Sequence, residues 1–523
     1  MRAARSRTAG VVGKRYSELD VHDSFILITV AACDVLLSFT EVLHVRVFTR
    51  SILFAATALT SVSAMASPSL LAIGTLTGSS AGANTDLSGL TAPLENGLPG
   101  NILGGIGSAL TWAGYNTFLA APDRGPNATA YNSAVDDTTS YIARFQTVTM
   151  SLTPSGGALP FNLTPTLAAT TLLSSPTALN YGTGAGLGNK IDGTTPIGSG
   201  APAQNTANKF YLTGRSDNFG AGNSGNASNA RFDPEGMRLS ADGKSVFISD
   251  EYGPYVYQFD RATGSRIRTY TLPGNLNVPN LSPVGNTEIS GNTTGRVANK
   301  GMEGLAITPD GKTLVGVMQA ALIQDNVNPT KNMVRIVTID VATGTTHEYG
   351  YVLTTGSGVS EITAINDHEF LIDERDGKGL GDGSTAVAKN LYKINLTGAT
   401  DITNLTGAAA LAAAVGKTPF LDLVALLGAN GISAQNVPSK IEGMAFGDDV
   451  NVNGTIEHTL WIANDNDFVP GVAGPNTFYV IGVTDADLGG SPFLAQSVPE
   501  PGSLVVLGMG LLGLTVRRLK RRA

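Results

Sequence analysis

Residues 236–249 carry two short runs in which apolar and polar positions alternate, GMRLS and SVFIS, separated by Ala241-Asp242-Gly243-Lys244. A period of two predicts strands. An Asp-Gly pair between two such runs predicts a hairpin, because both turn positions favour positive φ. Glu235 opens the first run, and Asp250 and Glu251 close the second. Those two ends lie side by side in an antiparallel pair, so the hairpin brings three carboxylates to one edge of a sheet.

The same pattern recurs along the chain. Residues 302–317 repeat it with Glu303 and the turn Asp310-Gly311. Residues 360–376 repeat it with Glu361, a turn at Asp367-His368 and a close on Asp373-Glu374-Arg375. Residues 441–467 repeat it with Glu442, a longer turn and a close on Asn464-Asp465. A fainter copy at 104–125 lacks the opening glutamate and closes on Asp123-Arg124. The steps between glutamates are 68, 58 and 81 residues. The hairpins at 233 and 303 are each followed by two more alternating runs, so the repeating unit is a four-stranded meander. An all-β chain built on that unit predicts a β-propeller.

Five blades are legible, near 104–152, 233–272, 303–353, 361–396 and 441–483. SLLAIGTL (69–76) can complete the last blade as an end strand, and a sixth blade is expected from the chain ends. The expectation is about six four-stranded blades, within a range of five to seven. Residues 181–229 read as a long loop over one face. AAALAAAVG and FLDLVALLGANG predict a short helical insert near 408–430. Gly78-Ser79-Ser80-Ala81-Gly82 has the spacing of a serine-hydrolase elbow but no helical pattern after it, which the elbow requires.

The ends differ from the body. Residues 47–66 place Arg50 before an apolar run and end on Ala64-Met65-Ala66, a small-residue site for signal peptidase. Residues 1–45 are long for such a leader, and initiation near Val45 or Val47 is expected over a genuine long leader. At the other end, Pro499-Glu500-Pro501 is followed by an apolar run at 502–516 and the basic residues Arg517–Arg522. This order resembles the PEP-CTERM sorting signal of Gram-negative bacteria. The resemblance implies processing by an exosortase, transient membrane contact through 502–516, and delivery to the cell surface or extracellular matrix. The expected domains are therefore a leader at 1–66, a propeller at 67–497 and a sorting signal at 498–523.

Charge sharpens the picture once the ends are set aside. Residues 67–497 hold 22 Lys/Arg against 36 Asp/Glu, a net charge of −14, which repels nucleic acid and attracts cations. The one cysteine, Cys33, lies in the leader. The body therefore has no disulfide, zinc-thiolate site or cysteine nucleophile.

The first strand of each propeller blade lines the central channel. Glu235, Glu303, Glu361 and Glu442 are expected as a carboxylate ring at one mouth, with Asp123, Asp250, Glu251, Asp373, Glu374 and Asp465 as a wider ring beside it. Like charges held close need a counter-cation or raised pKa values. With no thiols and few histidines, a hard ion such as Ca²⁺ is the natural metal. Arg124, Arg238, Lys300 and Arg375 stand beside the acids in sequence, able to pair with them or to hold an anionic ester. The competing reading makes the repeated Glu-Gly purely structural, with the glutamate bonding a neighbouring blade's amides and the glycine allowing close packing. His368 reads as a turn residue and His347 and His458 flank strands, which makes them weaker candidates for catalysis than the acids.

DPEGMRLSADGKSVFISDEYGP, the MEGLAITPDGK copy, SEITAINDHEFLIDERD, KIEGMAFGDD and APDRGPN together resemble the secreted bacterial family called "esterase-like activity of phytase" over roughly residues 100–485. The resemblance implies a propeller and hydrolysis of phosphate or carboxylic esters. The Arg-His-Gly signature of histidine acid phosphatases is absent, which excludes a phosphohistidine mechanism. The expectation is a calcium-dependent hydrolase of a small anionic ester. It places Glu235, Glu303, Glu361 and Glu442 on the metal and gives catalytic or clamping roles to Asp123, Arg124, Arg238, Asp250, Glu251, Glu374, Arg375 and Asp465. The alternative is a non-enzymatic, calcium-stabilised propeller that binds matrix polysaccharide or protein.

Overall fold

The computed structural model describes residues 67–79, 82–126, 138–215, 223–354 and 356–498. The leader, the start site, the serine at 80 and the apolar run at 502–516 lie outside the described residues. Among the described residues no helix is long and apolar enough to cross a membrane.

Five antiparallel sheets stand around one axis. Blade one is Ala109–Trp112, Thr117–Ala121, Arg144–Pro154 and Phe161–Leu172. Blade two is Pro234–Leu239, Ser245–Asp250, Tyr255–Asp260 and Arg266–Thr271. Blade three is Met302–Ile307, Thr313–Met318, Met333–Asp340 and Thr346–Val352. Blade four is Gly358–Ala364, Glu369–Arg375, Lys389–Asn395 and Lys417–Asp422. Blade five is Ile441–Phe446, Thr455–Asn464 and Asn476–Val483, completed at its outer edge by Ser69–Leu76 from the other end of the chain. Each inner strand packs against the inner strands of both neighbouring blades, so the ring closes on itself.

Five blades lie within the expected range. Ser69–Leu76 completes the last blade, as expected of an end strand, and among the described residues no sixth blade forms. Blade one runs past the expected 104–152, with Phe161–Leu172 as its fourth strand. KTPFLD, inside the stretch read as helical, is the fourth strand of blade four, flanked by the short helices Gly407–Ala412 and Leu423–Ala429. Apolar clusters fill the spaces between adjacent blades, with the Phe118 and Trp461 rings packed at a tilt of 46° between blades one and five, 4.6 Å apart.

Glycine sets the spacing near the axis. A Cβ on Gly236 would lie 2.3 Å from the Leu305 nitrogen, and one on Gly304 would lie 2.8 Å from the Glu361 Cα. Contacts under 3 Å force the backbone apart, so these positions admit no side chain.

The channel is closed partway down by Arg238. Its Nη1 donates to the carbonyls of Leu110 (2.8 Å) and Met237 (2.6 Å), and its Nη2 to those of Ile362 (2.7 Å) and Met444 (3.1 Å). One guanidinium thus ties the inner strands of four blades. Beyond it, Phe493–Gln496 crosses the opposite end of the channel. Leu494 donates its backbone N–H to Ile365, and the Gln496 amide donates to Leu239.

Candidate functional site

The inner strands begin, and the second strands end, at one face. In blades two, three and five the register slips where the glutamate stands, between Pro234 and Met237, Met302 and Gly304, and Ile441 and Met444. Such a bulge re-aims its side chains, and Glu235, Glu303 and Glu442 come together at the mouth. In blade four the slip falls between Val359 and Glu361, and Glu361 pairs with Asp373. Ser360, not Glu361, therefore occupies the glutamate position, and Glu361 stands where the other blades have glycine. A one-residue offset sends a side chain to the other face.

Glu361 accordingly points into the channel. Its Oε1 accepts from the backbone N–H of Leu305 (3.0 Å) and of Ile362 (2.9 Å), and its Oε2 lies 3.1 Å from Arg238. Burial raises its pKa to about 7, against the pull of Arg238. Neither Glu361 nor Arg238 joins the mouth. Their expected metal and clamping roles give way to the structural role that the competing reading assigned to the glutamates.

Two more expected site residues are turned away. Glu374 is enclosed between blades three and four, accepting bonds from the Tyr351 hydroxyl, the Thr354 N–H and the Lys417 ammonium. Burial would raise its pKa, but those bonds outweigh it and hold it below the usual value. Asp250 accepts from the backbone N–H groups of Asp233 (3.1 Å) and Tyr252 (3.0 Å) and so shapes the loop below the mouth. Asp373 accepts from Ser360 Oγ at 3.0 Å. The three histidines lie away from the mouth; His347 and His458 pair with surface aspartates.

What the mouth does gather is a continuous arc of acids. Carboxylate oxygens of Asp123, Asp465 and Asp467, of Asp123, Asp233 and Glu235, and of Glu235, Glu251 and Glu303 each fall within 4.8 Å of one another. Glu442 extends the arc beside Glu303. Three cations stand among these eight acids. Arg124 donates its backbone N–H (2.8 Å) and Nη1 (3.1 Å) to Asp233. Arg375 Nη2 lies 2.5 Å from Glu442 and 3.7 Å from Glu303. Lys440 donates to Asp465 (2.5 Å) and Asp467 (2.8 Å).

The acids outnumber the cations, and all but the partly exposed Asp467 are almost wholly buried. Burial pushes the Asp123 carboxyl up to about 7, with Arg124 and Lys440 opposing. Burial and then Glu442 push Glu303 up to about 7. Burial and the neighbouring Glu303 hold Glu235 and Glu251 well above the carboxylate range. Glu251 Oε1, Glu303 Oε2 and Glu442 Oε2 are buried with no hydrogen-bond partner. Unpaired buried oxygens are rare in native proteins and require a reason. A hard cation fits this set: oxygens about 2.4 Å from one ion lie at most about 4.8 Å apart, the span over which these triads converge.

Asp233, Lys440 and Asp467 were not picked out in the sequence. They sit in connectors with no strand period. The signal that could have found them is position, since Asp233 and Lys440 both stand two residues before a bulge glutamate. Lys300 lies at the rim, its ammonium 3.3 Å from Gln319 Oε1.

The family model described as "Esterase-like activity of phytase" matches residues 101–468, from just before the first inner strand to the acid arc's last member. The chain belongs to this phytase-like family. A second model, the PEP-CTERM protein-sorting motif, matches residues 497–522. This phytase-like protein is therefore exported and directed to the surface or the extracellular space, with exosortase processing on the way. An uncharacterized secreted protein of Arthroderma benhamiae is 30% identical over 335 residues, covering 53% of this chain and 60% of that one. Among solved structures, hydrazine synthase of Kuenenia stuttgartiensis aligns at 12% identity over 71% of this chain and 79% of that chain, with a TM-score of 0.28. The Cps50 (Swd1) β-propeller domain of Myceliophteria thermophila aligns at 9% identity over 43% and 48%, with a TM-score of 0.20.

Proposed function

We propose that this phytase-like protein is a secreted hydrolase of phosphoric or carboxylic esters whose reaction centre is the carboxylate arc, loaded with calcium. The observation that carries the reading is the set of buried, unpartnered oxygens on Glu251, Glu303 and Glu442, which converge with Glu235, Asp233 and Asp123. Glu235, Glu251, Glu303 and Asp233 would hold the ion, with Asp465 and Asp467 as a further carboxylate pair. Calcium there supplies Lewis acidity toward the ester oxygen and lowers the pKa of water.

The chain's own residues do the rest. Arg375, beside Glu303 and Glu442, and Arg124, beside Asp233, can hold charge that develops on the ester oxygens. Asp123, with its pKa near neutrality, can accept a proton at its Oδ2 and return it to the leaving group. Arg238 keeps the channel closed beneath, so ligand and water enter from the mouth face.

The test is turnover of p-nitrophenyl phosphate, a short-chain p-nitrophenyl ester and inositol hexakisphosphate by the secreted protein, with calcium and with a chelator. Calcium-dependent turnover of one of them is expected, and Glu303→Gln should abolish it. A second reading is favoured by the sorting motif: a calcium-stabilised propeller that binds matrix components without catalysis. No turnover under any condition, together with a calcium-dependent rise in Tm, would leave that one.

A further inference from the structure

A cavity of about 280 Å³ opens beside the acid arc, between blade two and the loop 281–300. Its lining is unlike the arc. Arg124, Arg231, Asn286, Asn299 and Tyr252 face it, with Ile289 at its edge. No carboxylate lines it.

The charges around it do not balance locally. Arg124 is matched by Asp233, on which it donates twice. Glu288 is matched by Arg296, which donates to it through Nη1. Arg231 approaches Glu288 only to 4.0 Å, stacks its guanidinium 3.6 Å above the Tyr252 ring, and leaves its buried Nε without an acceptor. Arg231 is thus the surplus cation. Its side chain is 6% exposed. A buried guanidinium without its own carboxylate is costly unless something anionic completes it. A planar fork of N–H donors suits a carboxylate or a phosphate.

Arg124 joins the two regions, with one face on Asp233 of the arc and the other on the cavity. We propose that the cavity holds an oxyanion on the non-reacting part of the ligand, so that the ester presented to the arc belongs to an acidic small molecule. The volume admits one group about the size of a sugar ring, near the lower end of small-ligand sites. The Asn286 and Asn299 amides suit hydroxyls on that group, and Ile289 suits its apolar edge. The assignment of an ester substrate rests on the function proposed above; the oxyanion site does not.

The test separates the two. Binding of inorganic phosphate, glucuronate and neutral glucose to the secreted protein is measured by calorimetry in chelator, where the arc carries no metal and no turnover occurs. Binding of phosphate or glucuronate but not glucose is expected, and the stronger of the two names the oxyanion. Arg231→Gln should weaken that binding at least tenfold, and Arg231→Lys should recover part of it. Should Arg231→Gln fail to fold, Asn299→Asp places a negative charge at the exposed rim and should also weaken binding. Equal binding of glucose, or unchanged binding in Arg231→Gln and Asn299→Asp, overturns the proposal. Oxyanion binding without turnover of any ester would sink the hydrolase reading and leave this site standing. Turnover whose KM does not change in Arg231→Gln would do the reverse.

Discussion

Buried charge appears twice along the axis, and the two regions handle it in opposite ways. In the channel, Arg238 spends its donors on four carbonyls and faces Glu361, whose Oε1 accepts two backbone N–H groups. At the mouth, eight acids share three cations, and three buried oxygens accept nothing. The channel carboxylate is matched by its own guanidinium, whereas the mouth holds more acids than cations, the surplus on which the proposed calcium site rests. Glutamates that look alike in sequence fall on both sides of that divide.

Removing the channel guanidinium should have the largest effect. Arg238→Met strands four carbonyls and a buried carboxylate, and should cost about 3–5 kcal/mol, read as a fall in denaturant midpoint. A loss under 1 kcal/mol would mean that the plug carries no weight. Next comes the mouth. At a calcium concentration a hundredfold above its Kd, the wild type should gain about 2.7 kcal/mol, and Glu235→Gln should lose that gain while remaining as stable as wild type in chelator. Glu361→Gln should behave the other way, keeping the calcium gain and losing about 1–3 kcal/mol in both conditions. If the two glutamine variants gave the same profile, the contrast between channel and mouth would collapse.

The smallest effect is in pH. Asp123 and Glu303 have folded pKa values of about 7, above their ordinary 3.8 and 4.5. The native state then binds more protons than the unfolded chain across that window. In chelator their contribution should therefore be full below about pH 4 and lost as pH rises toward 7. Calcium, which needs the ionised carboxylates, should flatten or reverse the slope. Thermal melts from pH 4 to 8 with and without calcium check the sign.

Much of this was legible in the chain. The Asp-Gly turns and alternating runs name the inner hairpins, because a two-residue period and a positive-φ turn are local properties. The outer strands were harder to read. Lys417–Asp422 is largely exposed and abuts a helix, so its alternation is weak. The mouth was half legible. Glu235, Glu303 and Glu442 are each followed by glycine, and Glu361 is followed by Ile362. That missing glycine is the mark of the register offset, and attention to it would have moved Glu361 out of the ring. Asp233 and Lys440 carry no period of their own and become visible only once neighbouring blades are set side by side.

The edge strand of the fifth blade carries a consequence for how the protein reaches its final form. Ser69–Leu76 pairs with Asn476–Val483 across about 400 residues of chain. A polypeptide emerging from a translocation pore in order releases one half of that clasp first and the other almost last. Four blades can zip up as they appear, but the fifth must wait with an open edge for its latecomer. The entropy of joining such distant partners falls on this last step. Maturation outside the membrane therefore ends where export ends, and a product cut short before Asn476 would be an unfastened ring.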